Sequence, residues 1–192
     1  MKRTEIINLF VGRYNYNRYL EIGVRNPKDN FNKINCNYKV GIDPNGKTTF
    51  TVTSDEFFQQ NEEKFDIIFI DGLHLEHQVD KDIINSLDVL SENGTIVMHD
   101  CNPVSEGAQV EEYIDGAKWN GTVWKSFAKL RMSRDDLDMV VVDTDHGCGV
   151  IRRGSQSVFS DNIEELNYKF LEKNRKDLLN LISVDEFTGI YL

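Results

Sequence analysis

Hydrophobic and polar positions alternate along the first hundred residues in a pattern that predicts strands separated by helices. Five short runs combine β-branched and aromatic residues with a turn residue at the end, which is typical of strands. They are RYLEIG (18–23), YKVGID (38–43), TTFTVT (48–53), FDIIFID (65–71) and GTIVMHD (94–100). The fourth run is apolar on both faces, as expected for a central parallel strand that is covered by helices on both sides.

Helical spacing appears between these runs. Apolar residues recur every three or four positions after the fourth run and predict a crossover helix, which we expect Asn93-Gly94 to end. They are Val79, Ile83, Leu87 and Leu90. The stretch from Val24 to Asn37 is long enough for a second crossover but carries a short apolar stripe, so its helix should be short.

In the second half of the chain the regular alternation of strands and helices is interrupted. A polar segment (105–124) leads into a helix with Val123, Phe127 and Leu130 on one face. Residues 136–145 and 149–154 then form two strands, which are joined so closely that only an antiparallel hairpin at the edge of the sheet is possible. Its tip, Asp145-His146-Gly147, carries no predicted chemistry. Residues 161–182 predict an amphipathic helix with a break near Asn174.

Composition narrows the class of protein. The length of 192 residues indicates one domain. The chain is acidic, with 22 Lys and Arg against 32 Asp and Glu and a formal net charge of -10. Such a charge argues against nucleic acid and anionic membranes as partners, and no apolar run is long enough to span a membrane. The three cysteines are widely spaced and form neither a disulfide framework nor a metal motif, so we expect a cytoplasmic protein.

Candidate chemistry is concentrated where the predicted parallel strands end. Glu21, Asp43, Asp71 and Asp100 lie at the ends of the first, second, fourth and fifth strands, and three histidines lie close by. In open α/β sheets this edge holds the ligand crevice. Any one of these acids could instead cap a helix or occupy a solvated turn.

These residues carry a resemblance to a known family. YLEIG, GIDPN, TSDEFF, FDIIFIDGLHLEHQVDKDI and GTIVMHDCNP together resemble the class I S-adenosylmethionine-dependent methyltransferases, closest to the small-molecule O-methyltransferase branch with a D-G-x-H motif. The resemblance covers residues 18–155. It implies a Rossmann-like, mostly parallel seven-stranded sheet with an antiparallel edge hairpin and helices on both faces. Residues 1–192 would be a single domain, with a substrate-cap segment (105–124) and a C-terminal helical extension (161–192).

The resemblance also implies roles in cofactor binding. Glu21 would orient the methionine ammonium, Gly23 would let the backbone approach the cofactor, and Asp43 would accept hydrogen bonds from the ribose hydroxyls. Asp43 could also be a turn acid before Pro44. The loop EIGVRNPKDN has a single glycine, too few to cradle the pyrophosphate of a dinucleotide, so S-adenosylmethionine is favoured over NAD.

Further along the chain, Ser54 and Asp55 would meet the adenine edge, although Ser-Asp-Glu is also a good helix start. Asp71 would contribute to the cofactor site as well. For catalysis, His74 is the expected general base, with Asp71 beside it, because an imidazole titrates near working pH. His74 could otherwise be an exposed residue at a helix start.

The same strand ends resemble the metal cluster of metal-dependent relatives. Asp71 and Asp100, with His99 as a third candidate, could hold Mg²⁺, which prefers oxygen ligands. The relatives usually show two adjacent acids where this chain has His99-Asp100, so the metal is optional. Asp100 could instead cap the turn that follows it.

The predicted function is methyl transfer from S-adenosylmethionine to a small-molecule hydroxyl, on a sugar or glycan precursor. The aromatic residues Tyr113, Trp119 and Trp124 suit such an acceptor, although the tryptophans could also pack beneath the loop. Two other classes stay open, a non-catalytic nucleotide- or cofactor-binding module and a sugar-modifying NAD-dependent oxidoreductase. A homodimer is compatible with the sequence.

Overall fold

The computed structural model describes residues 1–113, 115–116, 118–161 and 165–191. Its strands are β1 (Arg18–Ile22), β2 (Tyr38–Ile42), β3 (Phe65–Ile70), β4 (Leu90–Met98), β5 (Leu137–Val142), β6 (Cys148–Arg153) and β7 (Leu181–Ile182). Its α-helices are α1 (Arg3–Tyr14), α2 (Ser54–Gln60), α3 (Glu76–Val89), α4 (Val123–Ser133), α5 (Tyr168–Leu178) and α6 (Val184–Tyr191). Short 3-10 helices cover Phe31–Lys33 and Glu106–Gln109.

The strands form one seven-stranded sheet in the order β2-β1-β3-β4-β6-β5-β7. The first four in this order run parallel, β6 is antiparallel to both its neighbours, and β7 is parallel to β5. The predicted Rossmann-like, mostly parallel fold with an antiparallel hairpin is therefore confirmed. The hairpin of β5 and β6 is not at the edge, because β7 pairs with β5 beyond it.

Helices cover both faces of the sheet, as the apolar character of β3 predicted. Ile68 and Ile70 point into a core that includes residues of α2, α3, α4 and α5. Ile67 and Phe69, the alternate positions of the same strand, point into a second core with residues of α1 and α6. Because successive side chains of a strand point to opposite faces of the sheet, both faces of β3 are buried. No helix in the described part of the chain is long and apolar enough to cross a membrane.

The predicted strand over residues 48–53 is wrong. This segment forms a loop that meets β2 through a single parallel bridge between Ile42 and Phe50. Only four residues separate the two predicted strands, whereas a parallel neighbour needs a crossover of about a dozen residues. The segment therefore leads directly into α2, whose first turn is capped by reciprocal hydrogen bonds between Thr53 and Glu56.

The predicted C-terminal helix over 161–182 is also shorter and divided. Its residues 162–164 lie outside the described residues, α5 begins at Tyr168, and the chain breaks after α5 rather than near Asn174. Asn180 adopts a left-handed conformation (φ 45°), and its side-chain amide donates to the Met139 carbonyl at 2.9 Å. Without β7 the outer edge of β5, opposite β6, would be unpaired, which explains why the helix ends before Leu181.

The crossover helix α3 ends earlier than predicted. It stops at Val89, and Asn93-Gly94 lies inside β4 instead of at the helix terminus. A side chain at Gly94 would come within 2.7 Å of Leu90, so the glycine is needed for close packing within the strand. The short crossover predicted after Val24 is confirmed as the single 3-10 turn at Phe31–Lys33.

Candidate active site

A cavity of about 740 Å³ opens at the carboxyl ends of the parallel strands. Its lining includes all four acids predicted from the strand ends: Glu21, Asp43, Asp71 and Asp100. Parallel strands β2, β1, β3 and β4 are neighbours in the sheet, so residues distant in sequence meet at one edge. A cavity of this volume can hold a ligand of the size of a nucleoside conjugate.

Glu21 lies on β1 at the base of the cavity and is 4% exposed. It accepts hydrogen bonds from the Tyr19 hydroxyl and from Asn30 Nδ2, the latter at 3.0 Å. Burial raises the pKa of the Glu21 carboxyl to about 7, although both hydrogen bonds oppose that shift. A cationic ligand would favour the ionised carboxylate and lower this pKa.

Gly23 follows β1 with a left-handed backbone (φ 95°). A Cβ atom at this position would lie 2.1 Å from the carbonyl oxygen of Asp71. The glycine is thus required for the close approach of two strand ends, whether or not a ligand is bound.

Asp43 follows β2 and forms an Asx turn, in which its Oδ1 accepts from the Asn45 N–H at 2.8 Å. It lines the cavity and is only partly exposed. Asp43 thus orders a turn, as one interpretation of the sequence held, and its binding to the ribose stays a prediction.

Of the two residues predicted for the adenine edge, Ser54 lines the cavity and Asp55 does not. Ser54 donates to Oδ1 of the buried Asp82 at 2.6 Å, and Gln78 donates to both side chains. Burial raises the pKa of the Asp82 carboxyl. Asp55 instead faces outward and pairs with Lys81 at 2.8 Å.

Asp71, His74 and Asp100 converge at the ends of β3 and β4. His74 Nε2 lies 3.3 Å from Asp71 Oδ1, and His74 Nδ1 lies 3.3 Å from Asp100 Oδ2. Nδ1 is buried and has no hydrogen-bond partner among the described residues. Asp100 adopts a left-handed conformation (φ 60°), a strain that a non-glycine residue keeps only where the surroundings impose it.

The three groups could together hold a metal ion. One donor atom from each of Asp71, His74 and Asp100 lies within 4.8 Å of the other two. His99, the third candidate from the sequence, instead bonds to Asp100 at 3.1 Å through Nδ1. Asp100 also accepts from Asn120 Nδ2 at 2.8 Å rather than capping the turn after it.

His99 and Arg3 supply positive charge behind this cluster. Burial would lower the pKa of the His99 imidazole, but Asp100, Asp145 and Asp71 raise it to about 11. Arg3, the first residue of α1, donates to Asp145 Oδ2 at 2.9 Å and approaches Asp71 to 4.0 Å. Burial would raise the pKa of Asp71, yet the imidazoles of His74 and His99 hold it well below its usual range.

Aromatic side chains form one wall of the cavity. The Trp119 ring stacks on the His74 ring with centroids 4.9 Å apart, and Tyr113 meets Trp119 edge-on at 5.5 Å. Trp119 Nε1 donates to the Val110 carbonyl at 2.7 Å, which fixes the indole. Trp124 is fully buried and belongs to the core, as the alternative interpretation held. Ile114 and Ala117 of the cap segment lie outside the described residues.

Sequence reasoning missed several residues of the site. Arg3 carried no signal, because nothing in the first residues indicates that α1 reaches the strand ends. Asp82 did carry one, since an acid between Val79 and Ile83 sits on the apolar face of a helix. Asp145, at the hairpin tip that was expected to be without chemistry, pairs with Arg3.

Comparison with known proteins adds independent evidence. A methyltransferase-domain family model matches residues 22–101, the part of the chain that holds Asp43, Asp71 and Asp100 and begins one residue after Glu21. No curated protein matches the sequence.

Solved structures resemble the fold over about four fifths of the chain. Cofactor-bound Rv0187 from MTB shares 15% identity, with 80% of each chain covered and a TM-score of 0.59. The O-methyltransferase TomG from Streptomyces achromogenes, solved with S-adenosylmethionine, shares 13% identity over 80% of each chain, with a TM-score of 0.57. The methyltransferase PaMTH1 of Podospora anserina, bound to S-adenosylhomocysteine, shares 18% identity over 77% of this chain and 76% of its own, with a TM-score of 0.56.

At these identities the likeness to solved structures establishes the fold alone. The family model adds evidence from the amino-acid sequence. The resemblance to class I S-adenosylmethionine-dependent methyltransferases is therefore confirmed, by the family model over residues 22–101 and by the fold over 80% of the chain.

Proposed function

We propose that the protein transfers the methyl group of S-adenosylmethionine to a hydroxyl of a small molecule, with a sugar or glycan precursor as the acceptor. The observation that carries this proposal is the convergence of Glu21, Asp43, Asp71 and Asp100 on one cavity, with Asp43, Asp71 and Asp100 inside the segment that matches the methyltransferase family. The sheet supplies the scaffold, and the chemistry is argued from these side chains.

The cavity residues fit the cofactor. Glu21 is a buried carboxylate suited to an ammonium group, and Asp43 offers carboxylate oxygens to two ribose hydroxyls. Ser54 and the neighbouring Asp82 and Gln78 provide polar contacts for a base edge. Bound S-adenosylmethionine would supply an already activated methyl group, so the protein needs only to align the acceptor and remove its proton.

His74 is the proposed general base. Its Nδ1 is buried on the side of Asp100 and its Nε2 lies 3.3 Å from Asp71 Oδ1, so a carboxylate faces each ring nitrogen. Stacking on Trp119 fixes the plane of the ring. A base held in this way is already oriented when the acceptor arrives.

A divalent cation also fits the residues present. Two carboxylates and an imidazole converge, and the buried Nδ1 of His74 has no other partner among the described residues. Mg²⁺ prefers oxygen ligands, whereas an imidazole ligand suits Mn²⁺ or Zn²⁺ better. A cation held by Asp71, His74 and Asp100 would lower the pKa of an acceptor hydroxyl.

The acceptor class rests on the aromatic wall. Trp119 and Tyr113 present ring faces and edges at the cavity, and the C–H face of a sugar ring packs well against such surfaces. Leu73 and Tyr113 are 52% and 59% exposed, so the wall continues to the mouth. A panel of free and nucleotide-linked sugars, compared with phenols in a methyl-transfer assay, tests this choice; transfer to phenols alone would contradict it.

The cofactor is tested by thermal shift with S-adenosylmethionine, S-adenosylhomocysteine and NAD. We expect the first two to raise the melting temperature and NAD to leave it unchanged. Stabilisation by NAD alone would support an oxidoreductase, and binding without turnover on any acceptor would support a non-catalytic module.

The metal is tested separately from activity. Calorimetric titration of the metal-free protein with Mg²⁺ and Mn²⁺ should show binding that Asp100→Asn weakens. If neither ion binds and activity survives EDTA, His74 acts without a cation.

The proposal includes a cytoplasmic location, because all three cysteines are free and buried. The homodimer stays a prediction that analytical ultracentrifugation can test.

A further inference from the structure

One edge of the Arg3 guanidinium is hydrogen-bonded to Asp145, whereas the Nε edge makes no hydrogen bond with the described residues. Its backbone N–H and its Nη1 both donate to Asp145 Oδ2, at 3.1 and 2.9 Å. Its Nε atom is buried but has no hydrogen-bond partner among the described residues, and Asp71 Oδ2 lies 4.0 Å away. A buried donor without a partner is costly, so its retention points to a ligand that completes it.

The guanidinium of Arg3 is chemically selective. Arg3 lines the cavity, and a guanidinium presents its donors as a planar fork that matches a carboxylate. Asp145 already holds the other side of the side chain. An anion arriving at the cavity would therefore meet a cation that is positioned in advance.

Arg3 also lies at the same end of the cavity as Glu21. Thr4, the next residue of α1, donates to Asn30 Oδ1 at 2.7 Å, and Asn30 Nδ2 donates to Glu21 Oε2 at 3.0 Å. Arg3 and Glu21 interact electrostatically as well. Two hydrogen bonds thus connect Glu21, the carboxylate that suits an ammonium group, with the residue next to Arg3.

An amino acid carries its ammonium and carboxylate on one carbon atom, so a receptor for its zwitterion needs an acid and a base side by side. We propose that Arg3 binds the carboxylate of the cofactor's methionine moiety through its Nε edge, opposite the ammonium site at Glu21. This inference rests on the proposed use of S-adenosylmethionine. It gives helix α1 a role in cofactor binding that lies outside the segment matched by the family model.

The experiment compares two ligands that differ only in this carboxylate. They are S-adenosylhomocysteine and 5′-(3-aminopropylthio)-5′-deoxyadenosine, which is the same molecule without its carboxylate. Calorimetry on the wild-type protein should show a preference for S-adenosylhomocysteine of about 10- to 100-fold, the range expected for a charge-assisted pair. In Arg3→Ala the preference should fall to nearly one, while affinity for the ligand without a carboxylate stays nearly unchanged.

Two other arginines make the comparison specific. Arg13, exposed in the last turn of the same helix, is the matched control, and Arg13→Ala should keep the full preference. Arg25 also lines the cavity but is exposed, so a preference lost in Arg25→Ala and kept in Arg3→Ala would overturn the assignment. Equal weakening of both ligands by Arg3→Ala would also overturn it, because that result indicates a structural role.

Arg3→Lys covers the case in which the alanine variant does not fold. Lysine keeps the charge that faces Asp145 but lacks the Nε edge, so the preference should still fall several-fold. An unchanged preference in Arg3→Lys would overturn the inference. If the wild-type protein bound neither ligand, the proposed function itself would fail and the inference with it.

Discussion

Glu21→Gln should make the empty protein more stable while weakening cofactor binding. The carboxyl is 4% exposed, and burial raises its pKa from 4.5 to about 7. One pKa unit corresponds to about 1.4 kcal/mol, so ionising Glu21 in the folded state costs about 3 kcal/mol more than ionising it in the unfolded chain. Glutamine keeps an acceptor for Tyr19 and Asn30 and removes the charge.

The sign of the pH dependence follows from linkage. Between pH 4.5 and pH 7 the folded state retains a proton that the unfolded state has lost, so wild-type stability falls as pH rises through this window. Below pH 4.5 both states are protonated and the cost is absent. The free energy of unfolding of Glu21→Gln, relative to wild type, should therefore rise by about 3 kcal/mol from pH 4.5 to about pH 8.

Urea unfolding of both proteins at several pH values measures this difference directly. Other titrating groups are common to the two proteins and cancel in the comparison. Binding should show the opposite preference, because an ammonium ligand needs the ionised carboxylate. S-adenosylhomocysteine should bind wild type more weakly below pH 7 and should release a proton on binding, detected by calorimetry in buffers of different ionisation enthalpy. A difference in stability that is flat with pH would refute the reasoning.

Three further predictions follow from the site and its support. Asp43→Ala should weaken S-adenosylhomocysteine binding by about 1.5–3 kcal/mol, measured by calorimetry, and unchanged affinity would remove the ribose assignment. His74→Ala should keep cofactor affinity and lower turnover by about 10²- to 10⁴-fold, so turnover within a few-fold of wild type would mean a different base. Gly23→Ala should destabilise the fold by about 2 kcal/mol or more, because its φ is 95° and the Asp71 carbonyl is in the way. Gly12→Ala, in open space on α1, is the control and should stabilise by up to about 1 kcal/mol in the same urea assay.

Much of the fold follows from local pattern. The strongly apolar run at β3, the helical spacing in α3 and α4, and the tight connection between β5 and β6 all predict the elements that form. The failures have physical causes of a different kind. Residues 48–53 have strand-like composition but too short a connection, and Leu181–Ile182 have helical surroundings but satisfy the edge of β5. In both cases tertiary geometry overrides local preference.

The candidate site shows the same division between local and long-range information. Asp71 and His74 are three residues apart, and the strand-end rule brings Asp100 to them, so the acidic cluster could be predicted. The rule does not predict which cationic side chains pair with these acids. The position of Arg3 depends on how helix α1 packs against the whole sheet. Arg3 and Asp145 are separated by 142 residues and meet only because α1 packs beside the strand ends.

That pairing explains how several acids can lie close together without a cation from outside. Asp71 and Asp145 have pKa values below their usual range because His74, His99 and Arg3 face them. Glu21 accepts hydrogen bonds only from neutral donors, and burial raises its pKa, as it does that of Asp82. The cavity thus combines carboxylates that face cationic side chains, around the proposed reaction centre, with a carboxyl at β1 that has no charged hydrogen-bond partner. A ligand with a positively charged group next to Glu21 would favour the ionised carboxylate. This is the strongest electrostatic argument for an ammonium group at that end of the cavity.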